Sequence, residues 1–114
     1  MAEPIYKIAT AQDWAAARKA GRLVGTPVDL IDGYIHFSTA TQLVETLDKH
    51  YSGQSELVLA TIDPGLIEAD LRWEPSRGGQ LFPHLYGPLP MSAVIAERAL
   101  DARADGGFDL PEIA

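Results

Sequence analysis

Asp32-Gly33-Tyr34-Ile35-His36-Phe37-Ser38-Thr39, followed by Ala40-Thr41-Gln42, decides how the chain is read. Tyr34 to Ser38 alternates strictly, so Ile35 and Phe37 share the core face of a strand while Tyr34, His36 and Ser38 share the other. Thr39 stands as a helix N-cap with Gln42 in the reciprocal position, so a helix starts where the strand stops. Leu43, Val44, Leu47 and Tyr51 then form its buried stripe.

Upstream, Ile5 to Ala9 predicts a first strand, with Tyr6 and Ile8 on one face and Ile5 and Lys7 on the other. Thr10 opens a helix with Asp13 in capping register; Ala11, Trp14 and Ala15 are its apolar stripe and Gly21 its stop. Residues 25–33, punctuated by Gly25-Thr26-Pro27 and Asp32-Gly33, read as a loop. Downstream, Glu56 to Ile62 is nearly all apolar and predicts a central strand buried on both faces. Residues 70–74 predict another strand, and Pro75 to Gly79 a turn. Leu81 to Tyr86 is extended but carries Pro83, which predicts an edge strand or irregular chain. Ala93 to Leu100 reads as a strand or a short helix. This order predicts an α+β fold: one small domain over residues 1–100, mostly antiparallel sheet, with two helices in the N-terminal half. Residues 101–114 hold four acids against one arginine and read as an acidic C-terminal tail, frayed or docked through Phe108, Leu110 and Ile113.

Composition bounds the function. Nine basic and sixteen acidic residues leave a net charge of −7, which argues against a nucleic-acid coating. The absence of cysteine excludes a disulfide framework, a thiolate zinc site and a cysteine nucleophile. No segment reaches the ~18 apolar residues of a membrane span, and Met1-Ala2-Glu3-Pro4 is unlike a signal peptide. The expectation is a cytoplasmic protein without membrane contact.

Three constellations carry candidate chemistry. His36 and Ser38 stand roughly 6.5–7 Å apart on one strand face, just before a helix N-terminus, and predict a phosphate or carboxylate pocket. The same residues also read as a hydrogen-bonded histidine and a helix cap. Arg72 and Arg77 flank a turn whose paired glycines, Gly78-Gly79, let a backbone come close to an anion; the alternative is an Arg72–Glu74 pair on a surface hairpin. Phe82, His84 and Tyr86 share a face if extended, and His84 reads equally as a packed histidine. His50 reads as a cation at a helix C-terminus. The spacing offers no metal-ligand pair, Ser38 lacks a G-x-S-x-G elbow, and no Rossmann or Walker loop is present.

Together, Ile5-Tyr6-Lys7-Ile8, Asp32-Gly33-Tyr34-Ile35-His36-Phe37-Ser38-Thr39, Leu71 to Gly79 and Phe82 to Pro90 resemble a small bacterial family catalogued as domain of unknown function nine-five-two. The resemblance runs from Ile5 to Leu100. That family is distantly similar to the ADP-ribosyltransferase superfamily, which includes RNA 2′-phosphotransferases. The similarity implies a split antiparallel sheet around a nicotinamide-dinucleotide cleft, with NAD as the implied cofactor. His36 and Ser38 match the phosphotransferases' histidine-hydrophobic-serine motif, whereas Tyr6-Lys7 stands where many relatives carry a histidine. Glu97 is a loose match for the glutamate that many transferases need on a late strand. Nothing in the sequence supports the glutathione transferase label that some relatives carry.

The resulting expectation is a polar cleft that binds a small anionic or phosphorylated molecule or a dinucleotide. His36, Ser38 and His84 are the candidate catalytic residues; Lys7, Thr39, Arg72, Arg77 and Tyr86 are the candidate cofactor-binding ones, making the site locally cationic. The alternative is a non-catalytic module that binds a small anion or a protein.

Overall fold

Strand β1 (Ile5–Thr10) ends where the Thr10 hydroxyl accepts a 3.0 Å hydrogen bond from the Asp13 amide, which starts helix α1 (Ala11–Ala20) as expected. Gly21, in the left-handed region at φ 86°, stops that helix. The computed structural model describes residues 3–76 and 79–110. In chain order the remaining elements are β2 (Arg22–Leu23), α2 (Pro27–Asp32), β3 (Ile35–His36), a 3-10 turn at Ala40–Gln42, and α3 (Leu43–His50). There follow β4 (Leu57–Ile62), β5 (Leu71–Pro75), β6 (Leu81–Leu85), β7 (Leu89–Pro90), β8 (Val94–Ala102) and β9 (Phe108–Asp109).

All strand pairs among the described residues are antiparallel. One sheet runs β1-β4-β8-β9, a second β3-β6-β5, and β2 pairs with β7. A single bridge between Tyr6 and Ser38 links the first two sheets. The molecule is thus a small α+β domain with antiparallel sheets. β4 is central and buried on both faces, as its apolar run predicts. Ala60 and Ile62 pack with Ile5, Trp14, Ile35, Phe37 and Leu85. Leu57 and Leu59 pack with Tyr6, Ile8, Leu43, Leu47, Leu100 and Phe108 on the opposite side.

The structure departs from the sequence reading at several points. There are three helices rather than two, because part of the expected loop is α2. Thr26 and Asp29 form a capping box around Pro27 in the first turn, and Gly33 at φ 88° stops the helix. The same Pro and Gly that punctuate a loop also bracket a short helix. In α3, Leu43 and Leu47 are buried and Tyr51 packs against their cluster, but Val44 is 58% exposed. Residues 43, 47 and 51 form one row at four-residue spacing, and Val44 sits about 100° round the helix from Leu43.

β6 is the centre of its sheet despite Pro83. The Phe37 amide donates to the Pro83 carbonyl at 3.0 Å, and Pro83 has no N–H to return. The missing donor therefore faces the point where β3 has already ended, so no continuing ladder is broken. β8 is a strand, and the boundary drawn at residue 100 falls inside it. β9 turns back onto β8, with Phe108 buried and Leu110 packed beside it; Ile113 lies outside the described residues.

Candidate functional site

A cavity of about 500 Å³ lies beside the Tyr6–Ser38 bridge and is lined from both larger sheets. Lys7 from β1, His36 from β3, Ser38 just beyond it and His84 from β6 all line it, with Thr46 from α3 and Tyr51 at its end. The strand alternation that points His36 and Ser38 away from Ile35 and Phe37 is what delivers them here.

Asp29, from α2, does not line the cavity but is buried behind His36, at 1% exposed. Its carboxylate accepts from Lys7 Nζ (3.0 and 2.8 Å), from the Thr26 amide (2.8 Å), and from both the amide (3.1 Å) and Nδ1 (2.6 Å) of His36. Burial alone would raise the Asp29 carboxyl, but the bond from His36 and the charge and bond of Lys7 outweigh it and hold it far below the usual carboxylate range. Burial pulls the Lys7 ammonium below its ordinary value, and Asp29 offsets only part of that. Lys7 Nζ also donates to the His36 carbonyl at 3.0 Å.

Two imidazoles face the cavity, with centroids 5.5 Å apart. His36 has Asp29 on Nδ1 and Asp32 on Nε2, the latter at 2.9 Å. His84 is buried and has Glu74 Oε1 on Nδ1 at 2.9 Å; its Nε2 has no partner among the described residues. The Tyr86 hydroxyl donates to the same Glu74 oxygen at 2.6 Å, which lowers the Glu74 carboxyl and raises the Tyr86 phenol. Tyr34 stacks on His84 at 4.1 Å and tilts against His36 at 4.7 Å, so the three rings form one compact cluster. At the cavity's other end, burial pushes the Tyr51 hydroxyl up to about 12.

Of the residues singled out in the sequence, the structure therefore brings Lys7, His36, Ser38 and His84 together. Ser38 is buried and shares a 3.0 Å hydrogen bond with Thr46. Thr39 does not line the cavity: its amide donates to Gln42 Oε1 at 3.0 Å and it caps the helical segment. Tyr86 lies beside the cavity rather than in its wall, 41% exposed, with the Arg72 guanidinium 5.6 Å above its ring. Arg77 lies outside the described residues. Glu97 is on β8, paired with Arg18 and away from the cavity.

The expected cationic site is not what the described residues make, because Lys7 is paired with Asp29 and His36 lies between two carboxylates. Sequence reasoning missed Asp29, Asp32 and Tyr34, and took Glu74 only as a surface partner of Arg72. Asp29 had a readable signal, three residues after Thr26 in capping-box register. Tyr34 shared the alternation of His36. Nothing local joins Glu74 to His84, ten residues on, because β5–β6 pairing makes that contact.

This arrangement defines a class: a small α+β domain with antiparallel sheets and two carboxylate-held histidines on one cavity. The chain belongs to the family described as Protein of unknown function (DUF952), whose model matches residues 8–97. It is similar to the crystal structure of protein CC0527 from Caulobacter crescentus, at 47% identity over 93% of each chain and a TM-score of 0.89. The solution NMR structure of CC0527 matches at 48% identity and a TM-score of 0.81, over 91% of this chain and 90% of that one. No curated protein matches the chain.

Proposed function

We propose that this chain is a small cytoplasmic enzyme that binds a phosphorylated nucleotide or dinucleotide in the cavity and uses His36 and His84 as proton-transfer groups. The observation that carries the reading is that two imidazoles, each oriented by a carboxylate on Nδ1, line one cavity. A carboxylate on one ring nitrogen fixes the tautomer and the ring plane, which is what acid–base work on a bound substrate requires. A volume of about 500 Å³ falls within the range of small-molecule sites. Ser38 and Thr46 supply hydroxyls to the wall, and Arg72 lies beyond Tyr86 as a cation for an anionic group.

On the resemblance to ADP-ribosyltransferases, NAD is the dinucleotide of this reading. Glu97 does not serve it, since it faces Arg18. The test is thermal shift and calorimetry with NAD, ADP-ribose, a 2′-phosphorylated oligonucleotide and glutathione. A ligand of the native state alone raises the melting temperature. A shift from a nucleotide that is lost in His36→Asn and His84→Gln is expected; no shift from any nucleotide overturns the proposal. Saturable binding with no product from any ligand favours the non-catalytic anion-binding module instead.

A further inference from the structure

We propose that the two histidines divide the work, His84 as general base and His36 as general acid, and that the reaction is cleavage of a ribonucleoside phosphodiester. This rests on the nucleotide-binding reading above. The hydrogen-bond inventory separates the two rings. With Nδ1–H donated to Glu74, His84 presents an Nε2 without a partner among the described residues, whose lone pair takes a proton. His36 meets a carboxylate oxygen at both nitrogens, an arrangement in which the protonated ring donates to both. Its Nδ1 side is fixed by buried Asp29. Its Nε2 side is held by Asp32, which is 41% exposed at the end of α2 and is the partner that a substrate oxygen displaces.

The two rings meet edge to face, with centroids 5.5 Å apart, and both line the same cavity, so a base and an acid are offered to one bound molecule. Displacement at phosphorus uses such a pair, a base for the entering oxygen and an acid for the departing one. Departure of nicotinamide from a dinucleotide does not need the acid, because the pyridine leaves as a neutral base, whereas an alkoxide leaving phosphorus gains from protonation. In the step inferred, His84 Nε2 takes the proton of the ribose 2′-hydroxyl as the 2′ oxygen bonds to phosphorus. The bond from phosphorus to the 5′ oxygen breaks, and His36 Nε2 delivers its proton to that oxygen. The products are a 2′,3′-cyclic phosphate and a free 5′-hydroxyl, with no further reactant. A net charge of −7 favours a short substrate over a long polyanion. Glu74 and Tyr34 are positioning residues: one sets the His84 tautomer, the other packs against both rings.

The experiment compares uridylyl-3′,5′-adenosine with uridine 3′-(4-nitrophenyl phosphate), whose leaving group needs no proton. His84→Gln lowers cleavage of both by about 10²–10⁴-fold. His36→Asn, which keeps an amide donor for Asp29, loses the first substrate by a similar factor and keeps the second within a few-fold. Glu74→Gln lowers kcat with KM unchanged, a split that a merely structural defect does not produce. Melting temperatures of all three variants establish that they are folded. Cleavage untouched by His84→Gln, or equal loss of both substrates in folded His36→Asn, overturns the inference. Nucleotide binding with neither substrate cleaved overturns it and leaves the binding site standing; no nucleotide binding overturns both.

Discussion

Asp29 is the residue on which the local structure depends, because one carboxylate satisfies a buried ammonium, an imidazole and two backbone amides. Removing one partner of a buried pair leaves the other charged and uncompensated, so Asp29→Asn and Lys7→Met are each expected to cost about 3–5 kcal/mol in urea unfolding. The double variant Lys7→Met/Asp29→Leu, which removes both charges, should recover most of that loss. Acid gives a second test. The folded Asp29 carboxyl titrates far below its unfolded value of about 4, so its stabilisation is fully present above that pH and is lost as pH falls toward the folded value. The urea midpoint of the native chain should therefore fall steeply between about pH 5 and about pH 2.5, and a folded Asp29→Asn variant should show a shallower slope.

At the scale of elements, α2 shows where local sequence is sufficient and where it is not. Its cap, Pro27 and its stop at Gly33 were all visible, yet read as turn punctuation, because a six-residue helix has too short an apolar pattern to separate it from a loop. The α1 cap at Thr10 and the Thr39–Gln42 box were legible because each is a contact within four residues. Pro83 was misplaced because proline's cost depends on which strand its missing donor faces, and only the sheet decides that. The site divides in the same way. His36 and Ser38 came from one strand's alternation, while their meeting with Lys7 and His84, and the partners Asp29 and Glu74, are set by long-range pairing. Gly33 tests the boundary that α2 depends on. No atom lies within 4 Å of a Cβ built there, so Gly33→Ala meets only backbone strain at φ 88°. The expected cost is about 1 kcal/mol by chemical denaturation.

At the scale of the whole molecule, β4 divides the interior into two apolar clusters, and the C-terminal segment belongs to one of them. Phe108, from a region whose acidity suggested a tail, closes the cluster of Leu57, Leu59 and Leu100. Phe108→Ala is expected to cost about 3 kcal/mol, read as a lower denaturation midpoint at unchanged slope; a value near zero would mean that the segment does not hold its place in solution. The bridge between Tyr6 and Ser38 has a consequence for motion. Two backbone hydrogen bonds, of 2.8 and 2.9 Å, form the only strand pairing among the described residues between the β1-β4-β8-β9 and β3-β6-β5 sheets. The shared apolar cluster of Ile5, Ala60 and Ile62 with Ile35, Phe37 and Leu85 carries the rest of the join, so amide hydrogen exchange should find the two sheets opening with similar energies. A molecule seated in the cavity touches both walls and acts as a rivet across them. Slowed exchange in β1 and β6 together, on adding a ligand, is the signature of an occupied seam.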